Sequence, residues 1–173
     1  VNGQGYQIKS DQSSVLNIEG DLIPYDYTIN MPQGWFILGY LNQSVSDAPV
    51  MMEPIVDNIT IVKDWLGNVY WPVLNINTLG FMSPGQGYQI KTSLSTALSY
   101  PYSGSGRFDY INLNKTVSTK YDKPINTGNN MTLGIPEDAW VSSPEIGDEI
   151  VIYGQDGLLV GHGYYNSGST AIS

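Results

Sequence analysis

The sequence predicts a mainly all-β protein, built as tandem β-sandwich-like modules with at most one short helix. Three observations carry this. Charged residues make up only 13% of the 173-residue chain, about half the usual globular share, whereas surface helices normally carry many Glu, Lys and Arg. Short runs rich in Ile, Val, Tyr and Trp recur between turn residues, which is the pattern of strands. The stretch GQGYQIK occupies residues 3–9 and again residues 85–91, an offset of 82 residues. Seven identical residues at that distance mark a repeat of roughly domain size.

Along the chain, Tyr6-Gln7-Ile8-Lys9 alternates apolar and polar side chains, as does Val15-Leu16-Asn17-Ile18, so both read as strands. Residues 34–40, GWFILGY, are nearly all apolar and read as a buried strand with Trp35 in the core. Asp47 is placed to cap a helical stretch over 48–56, with Pro49 in its first turn. Pro54 removes a backbone donor inside that stretch and limits it to one or two turns. Residues 59–63, ITIVK, form a β-branched strand. It turns through Asp64-Trp65-Leu66-Gly67-Asn68, where Gly67 supplies a positive φ, and returns as Val69-Tyr70-Trp71. Residues 86–92 and 97–100 read as the next strand pair. Ser103-Gly104-Ser105-Gly106 reads as a linker. Beyond it, residues 131–135, 149–153 and 158–165 read as strands, the last two joined by the hairpin signal Asp156-Gly157. Residues 170–173 read as a strand beginning.

The repeat divides the chain. Residues 1–28 are expected to be the closing strands of one repeat copy, 29–103 a nearly complete second copy, and 107–173 a different β module truncated at its C-terminus. Val1 in place of Met, with no signal peptide, reads as a piece of something longer.

The formal charge of −9 repels phosphate backbones and anionic lipid, which disfavours nucleic acid as a partner. No run of 18 apolar residues exists, so no membrane insertion by a helix is expected. The absence of cysteine excludes disulfides, thiolate chemistry and Cys-based zinc sites.

Three segments taken in order carry a resemblance: GWFILGY, then DNITIVKDWLGNVYWP, then INTLGFMSPGQGYQIK. They resemble the repeated β-module of large secreted and cell-surface proteins of Bacteroidota. In that family a Gly-Trp strand, a short helical stretch, an IVKDxxGxVYxP hairpin and a GxGYQIK strand follow one another. Gly34-Trp35, residues 61–72 and residues 85–91 match it here. TGNNMTLGIP with GDEIVIYGQDGLLVGHGYY is similar to a second module of the same proteins. After residue 91 no new Gly-Trp strand follows, so the array stops and the other module begins. The resemblance implies an extracellular, cell-surface location and export of the type 9 secretion kind. It implies no reaction.

Candidate chemistry is sparse. His162 is the sole histidine, and no GxSxG elbow accompanies it, so a structural role is expected. Glu145, Asp148 and Glu149 are the nearest approach to a carboxylate pair, but adjacent strand residues point to opposite faces. Calcium is the one cofactor worth weighing, with Asp64, Asn68, Asp156 and Asn129-Asn130 as oxygen donors in turns; those residues favour turns for backbone reasons as well. Trp65, Trp71, Tyr70 and Trp140 are the candidate ligand-binding residues if the chain stacks on sugar rings.

The expectation is therefore a non-enzymatic structural or adhesive segment of a large secreted surface protein. Its partners would be neighbouring modules of the same polypeptide or identical chains, met through strand pairing. The alternative is a carbohydrate-binding accessory module that uses exposed Tyr and Trp on surface glycans.

Overall fold

The computed structural model describes residues 2–102, 120–121, 124, 131–165 and 167–172. Within them the chain is mainly β, in antiparallel sheets with one short helical stretch. The first unit runs β1 (Ile29–Met31), β2 (Gly34–Gly39), β3 (Ser46–Asp47), α1 (Ala48–Met52), β4 (Ile59–Lys63), β5 (Val69–Trp71), β6 (Ile76–Asn77), β7 (Phe81–Met82), β8 (Gly87–Thr92) and β9 (Thr96–Leu98). Five of these strands form one sheet in the order β2-β8-β4-β5-β6.

The helical stretch follows from its prolines. Pro49 lies in the first turn of α1, and Asp47 stands at the cap without a side-chain bond to the helix. Pro54 lacks the N–H of an α ladder; the chain there tightens into a 3₁₀ turn, Glu53–Asn58. The β4–β5 hairpin is held by Asp64. Its Oδ1 accepts the N–H groups of Leu66 and Asn68, both at 2.9 Å, and its Oδ2 accepts Asn68 Nδ2 at 2.8 Å. Gly67 takes φ +92° to close the turn.

Strand periodicity sorts the five-stranded sheet into two faces. Leu38, Tyr88, Ile90 and Val62 point inward and meet Ile29, Met31, Met51, Met52, Ile55, Met82 and Leu98 from the second layer. Each such side chain, fully buried, stabilises the fold by about 1.5–3 kcal/mol. The opposite face carries Ile61 and Val69, which pack with Ile76, Trp71, Leu74 and Ala171.

That last residue belongs to the second unit, made of β10 (Leu133–Ile135), β11 (Glu149–Tyr153), β12 (Leu159–Tyr164) and β13 (Thr170–Ile172). β10 pairs with β13, and β11 with β12. The contact between units is close: a Cβ on Gly134 would lie 2.8 Å from Leu74 Cδ1 and 3.2 Å from Trp71 Cζ3. The expected linker at 103–106 lies outside the described residues.

Three expectations are corrected. Residues 86–92 and 97–100 do not pair with each other: β8 runs between β2 and β4, and β9 pairs with β1. The four-residue step from Thr92 to Thr96 is long enough to carry the chain from the sheet into the second layer, where Leu98 is buried. Residues 34–40 are not buried throughout, because alternation puts Leu38 and Tyr40 inside and Trp35 outside, 54% exposed. Residues 6–9 and 15–18 are not strands and are exposed, because no sheet edge among the described residues receives them. Their flank is fixed: Gly39 N–H donates to Gly3 O and Gly5 N–H to Ile37 O, both at 2.8 Å.

Candidate functional site

Two features of the outer sheet face stand out. The first is aromatic. Trp35 in β2, Lys91 in β8 and Lys63 in β4 share that face through their cross-strand register. Lys63 Nζ lies 5.7 Å and Lys91 Nζ 5.9 Å from the Trp35 ring centroid, within cation–π range. The chain has only seven basic residues, and two of them meet on this one indole. Lys63 runs its stem under cover and presents its head to the ring. Around them lies an open groove of about 1220 Å³ that also takes in Trp65, Gln89, Tyr6 and Ile8. An indole with ammonium, amide and carboxylate groups at its rim can stack on a sugar ring and hydrogen-bond its hydroxyls.

The second feature is a strand edge. β2 is the outermost strand of its sheet, and its outward Ile37 O and Gly39 N–H are engaged by Gly5 and Gly3 of the first GQGYQIK. Glycine is required there by space. A Cβ on Gly5 would fall 2.7 Å from Ile37 Cγ2, and one on Gly3 2.5 Å from Ile29 Cγ1.

The four aromatics singled out from sequence do not share one surface. Trp65 sits in the β4–β5 turn and is 72% exposed. Tyr70 and Trp71 are neighbours on β5 and turn to opposite faces, Tyr70 to the main core and Trp71 to the contact with the second unit. Trp140 packs edge-on against Tyr165, with centroids 5.9 Å apart. Trp35, assigned to the core from sequence, is the aromatic that the fold brings to the groove beside Trp65. The signal that could have found it is the alternation of GWFILGY itself: with Leu38 inside, Trp35 must face out.

His162 and Glu149 tie β12 to β11, Nε2 to Oε1 at 2.5 Å. Glu149 Oε2 also accepts the backbone N–H of Lys120 at 3.0 Å. Asp148 Oδ2 closes a turn by accepting Glu145 N–H at 2.9 Å. The two adjacent carboxylates therefore do separate local jobs. Asp156 Oδ1 likewise accepts Leu158 N–H at 3.2 Å in its hairpin, and Asp64 serves the turn described above. Asn129-Asn130 lies outside the described residues. Among the described residues no three His, Asp or Glu side chains converge as metal ligands.

Burial is the largest influence on the phenol chemistry. It holds the Tyr100 hydroxyl well above the usual tyrosine range, with the nearby Tyr40 and Tyr88 adding to the effect. Tyr40 is raised by burial too, against the opposing pull of the nearby Ser46 and Asn42 side chains; its hydroxyl donates to Ser44 O at 2.8 Å. These are core groups: Tyr100 donates to Gly39 O at 3.1 Å, behind the β2 edge. Comparison with protein-family models, curated proteins and solved structures finds no match to this chain.

Proposed function

We infer that the chain is a non-catalytic structural segment of a large secreted, cell-surface protein, in which consecutive modules hold one another by strand pairing. The observation that carries this is the seating of Gly3-Gln4-Gly5, from one repeat copy, on the β2 edge of the next. Main-chain bonds across a sheet edge are a general means of joining modules. The test is the mass and shape of the chain at high concentration, by light scattering and negative-stain microscopy. Regular higher-order particles are expected, and a compact 19.0 kDa monomer at every concentration refutes assembly.

A second reading rests on Trp35 between its two lysines. It makes the same segment a glycan-binding accessory that uses the groove with Trp65. Binding on a glycan array that disappears in Trp35→Ala supports it, and an array without signal removes it.

A further inference from the structure

We propose that residues 6–18 are inner strands for a second module body, one built like residues 29–84 of this chain. The proposal rests on the repeat-array reading and names the partner in it. The offset of 82 sets Tyr6 on Tyr88, Ile8 on Ile90, Leu16 on Leu98 and Ile18 on Tyr100. In the second copy these side chains are 3%, 0%, 0% and 2% exposed; in the first they are 65%, 69%, 65% and 83% exposed. The same apolar spacing is sealed in one place and in water in the other. A run of exposed large apolar side chains marks an interaction surface, and here the second copy shows what covers it.

What the second copy uses is specific. Tyr88 and Ile90 enter on β8 between a β2-type and a β4-type strand, and Leu98 enters on β9 beside a β1-type strand. A receiver must therefore offer a Gly-Trp edge, an ITIVK edge and an apolar floor at once. In this chain those edges are already filled by β8. The receiver is another body of the same kind, in series or on another chain.

The backbone at the joint fits two neighbours at once. In the second copy Gln86 O accepts Tyr40 N–H at 3.2 Å, inside its own body. Antiparallel pairing alternates, so Gly87, the first residue of β8, turns its backbone groups the other way, beyond the end of β4, and Gly85 precedes it in a turn at φ +76°; both are exposed. In the first copy the equivalent groups, Gly3 O and Gly5 N–H, bond β2 of the following module. Gln4, between them, turns its backbone groups to the side a body of its own would occupy. One GQG thus serves its own module through the glutamine and the next module through the glycines.

The experiment places a copy of residues 29–84 directly ahead of Gly3, which restores the spacing found before Gly85. Cleavage by chymotrypsin within residues 6–22 is compared with the starting chain. The expected result is cleavage slowed about 100-fold, because the segment now opens only when its body does. Ile8→Asp with Leu16→Asp should restore fast cleavage in the extended protein. In the starting chain, where both positions are exposed, the pair should leave the melting temperature unchanged. Unchanged cleavage in the extended protein, or an added body that stays unfolded beside an intact module, overturns the proposal. Finding an enzymatic turnover would refute the structural reading of the chain while leaving this cleavage result standing.

Discussion

Substituting Gly3 tests how firmly the first repeat copy grips the second. Gly3 has φ +75°, and an added Cβ would lie 2.5 Å from Ile29 Cγ1 and 2.7 Å from its Cδ1. Ile29 is buried in the core and cannot swing clear. Gly3→Ala therefore incurs about 1–2 kcal/mol for the left-handed backbone and about 1–3 kcal/mol for overpacking. What holds the segment is smaller. Its two backbone bonds are worth about 0.5–1.5 kcal/mol each, about 1–3 kcal/mol in all. The segment should then let go, and the loss of stability should stop at the value of the grip. Gly3→Val, with a larger side chain, should cost no more than Gly3→Ala. At about 2–4 °C per kcal/mol for a chain of this size, both should lower the melting temperature by about 2–12 °C. Amide exchange gives the local readout, because Gly39 N–H loses its acceptor and should become unprotected in both variants. A loss that grows steeply from Ala to Val, or a Gly39 amide that stays protected, refutes the reasoning, since either would mean that the core yields before the segment leaves.

Further outcomes follow from the core and from the contact between units. Burial raises the Tyr100 and Tyr40 hydroxyls, so folding favours their neutral forms; this stability is complete below about pH 10, the unfolded value, and is lost as pH climbs toward the folded ones. An absorbance titration should show Tyr100 silent until circular dichroism reports unfolding, and ionisation of every one of the thirteen tyrosines in the folded protein would contradict this. Trp140 Nε1 is buried with no hydrogen-bond partner among the described residues, so Trp140→Phe, which keeps the edge contact with Tyr165, should be neutral or stabilising by about 1 kcal/mol in denaturant unfolding; a clear loss would mean that the indole N–H has a partner. Gly134→Leu drives a side chain into Leu74, Ile76 and Trp71 and should cost about 1–3 kcal/mol, seen in calorimetry as earlier melting of the second unit, and an unchanged trace would show that the units do not lean on each other there.

Much of this fold was legible because local chemistry decided it. Pro49 and Pro54 bracketed the one helical stretch, Gly67 and Asp64 closed the best hairpin, and Asp156-Gly157 joined β11 to β12. Strand partners were less legible, since β8 and β9 are neighbours in sequence but belong to different layers, and only the buried Leu98 beside Ile29 reveals the crossing. The aromatic groove was missed for a related reason. Trp35 was weighed by its apolar company in sequence and not by its parity on the strand, and the lysines that meet it lie 28 and 56 residues further on. The repeat was visible from identity alone; that its first copy rests on β2 through two glycines depended on an edge that only folding creates.

The covered edge of β2 also sets a count. An outer strand with open donors and acceptors can recruit any passing strand and so seed disordered aggregates. Here the outward groups at Ile37 and Gly39 take a single Gly-Gln-Gly and are then satisfied, and a bulkier sequence cannot enter. On the repeat-array reading proposed above, that side of each module would accept one neighbour and no more, and an array joined there would lengthen without branching at β2.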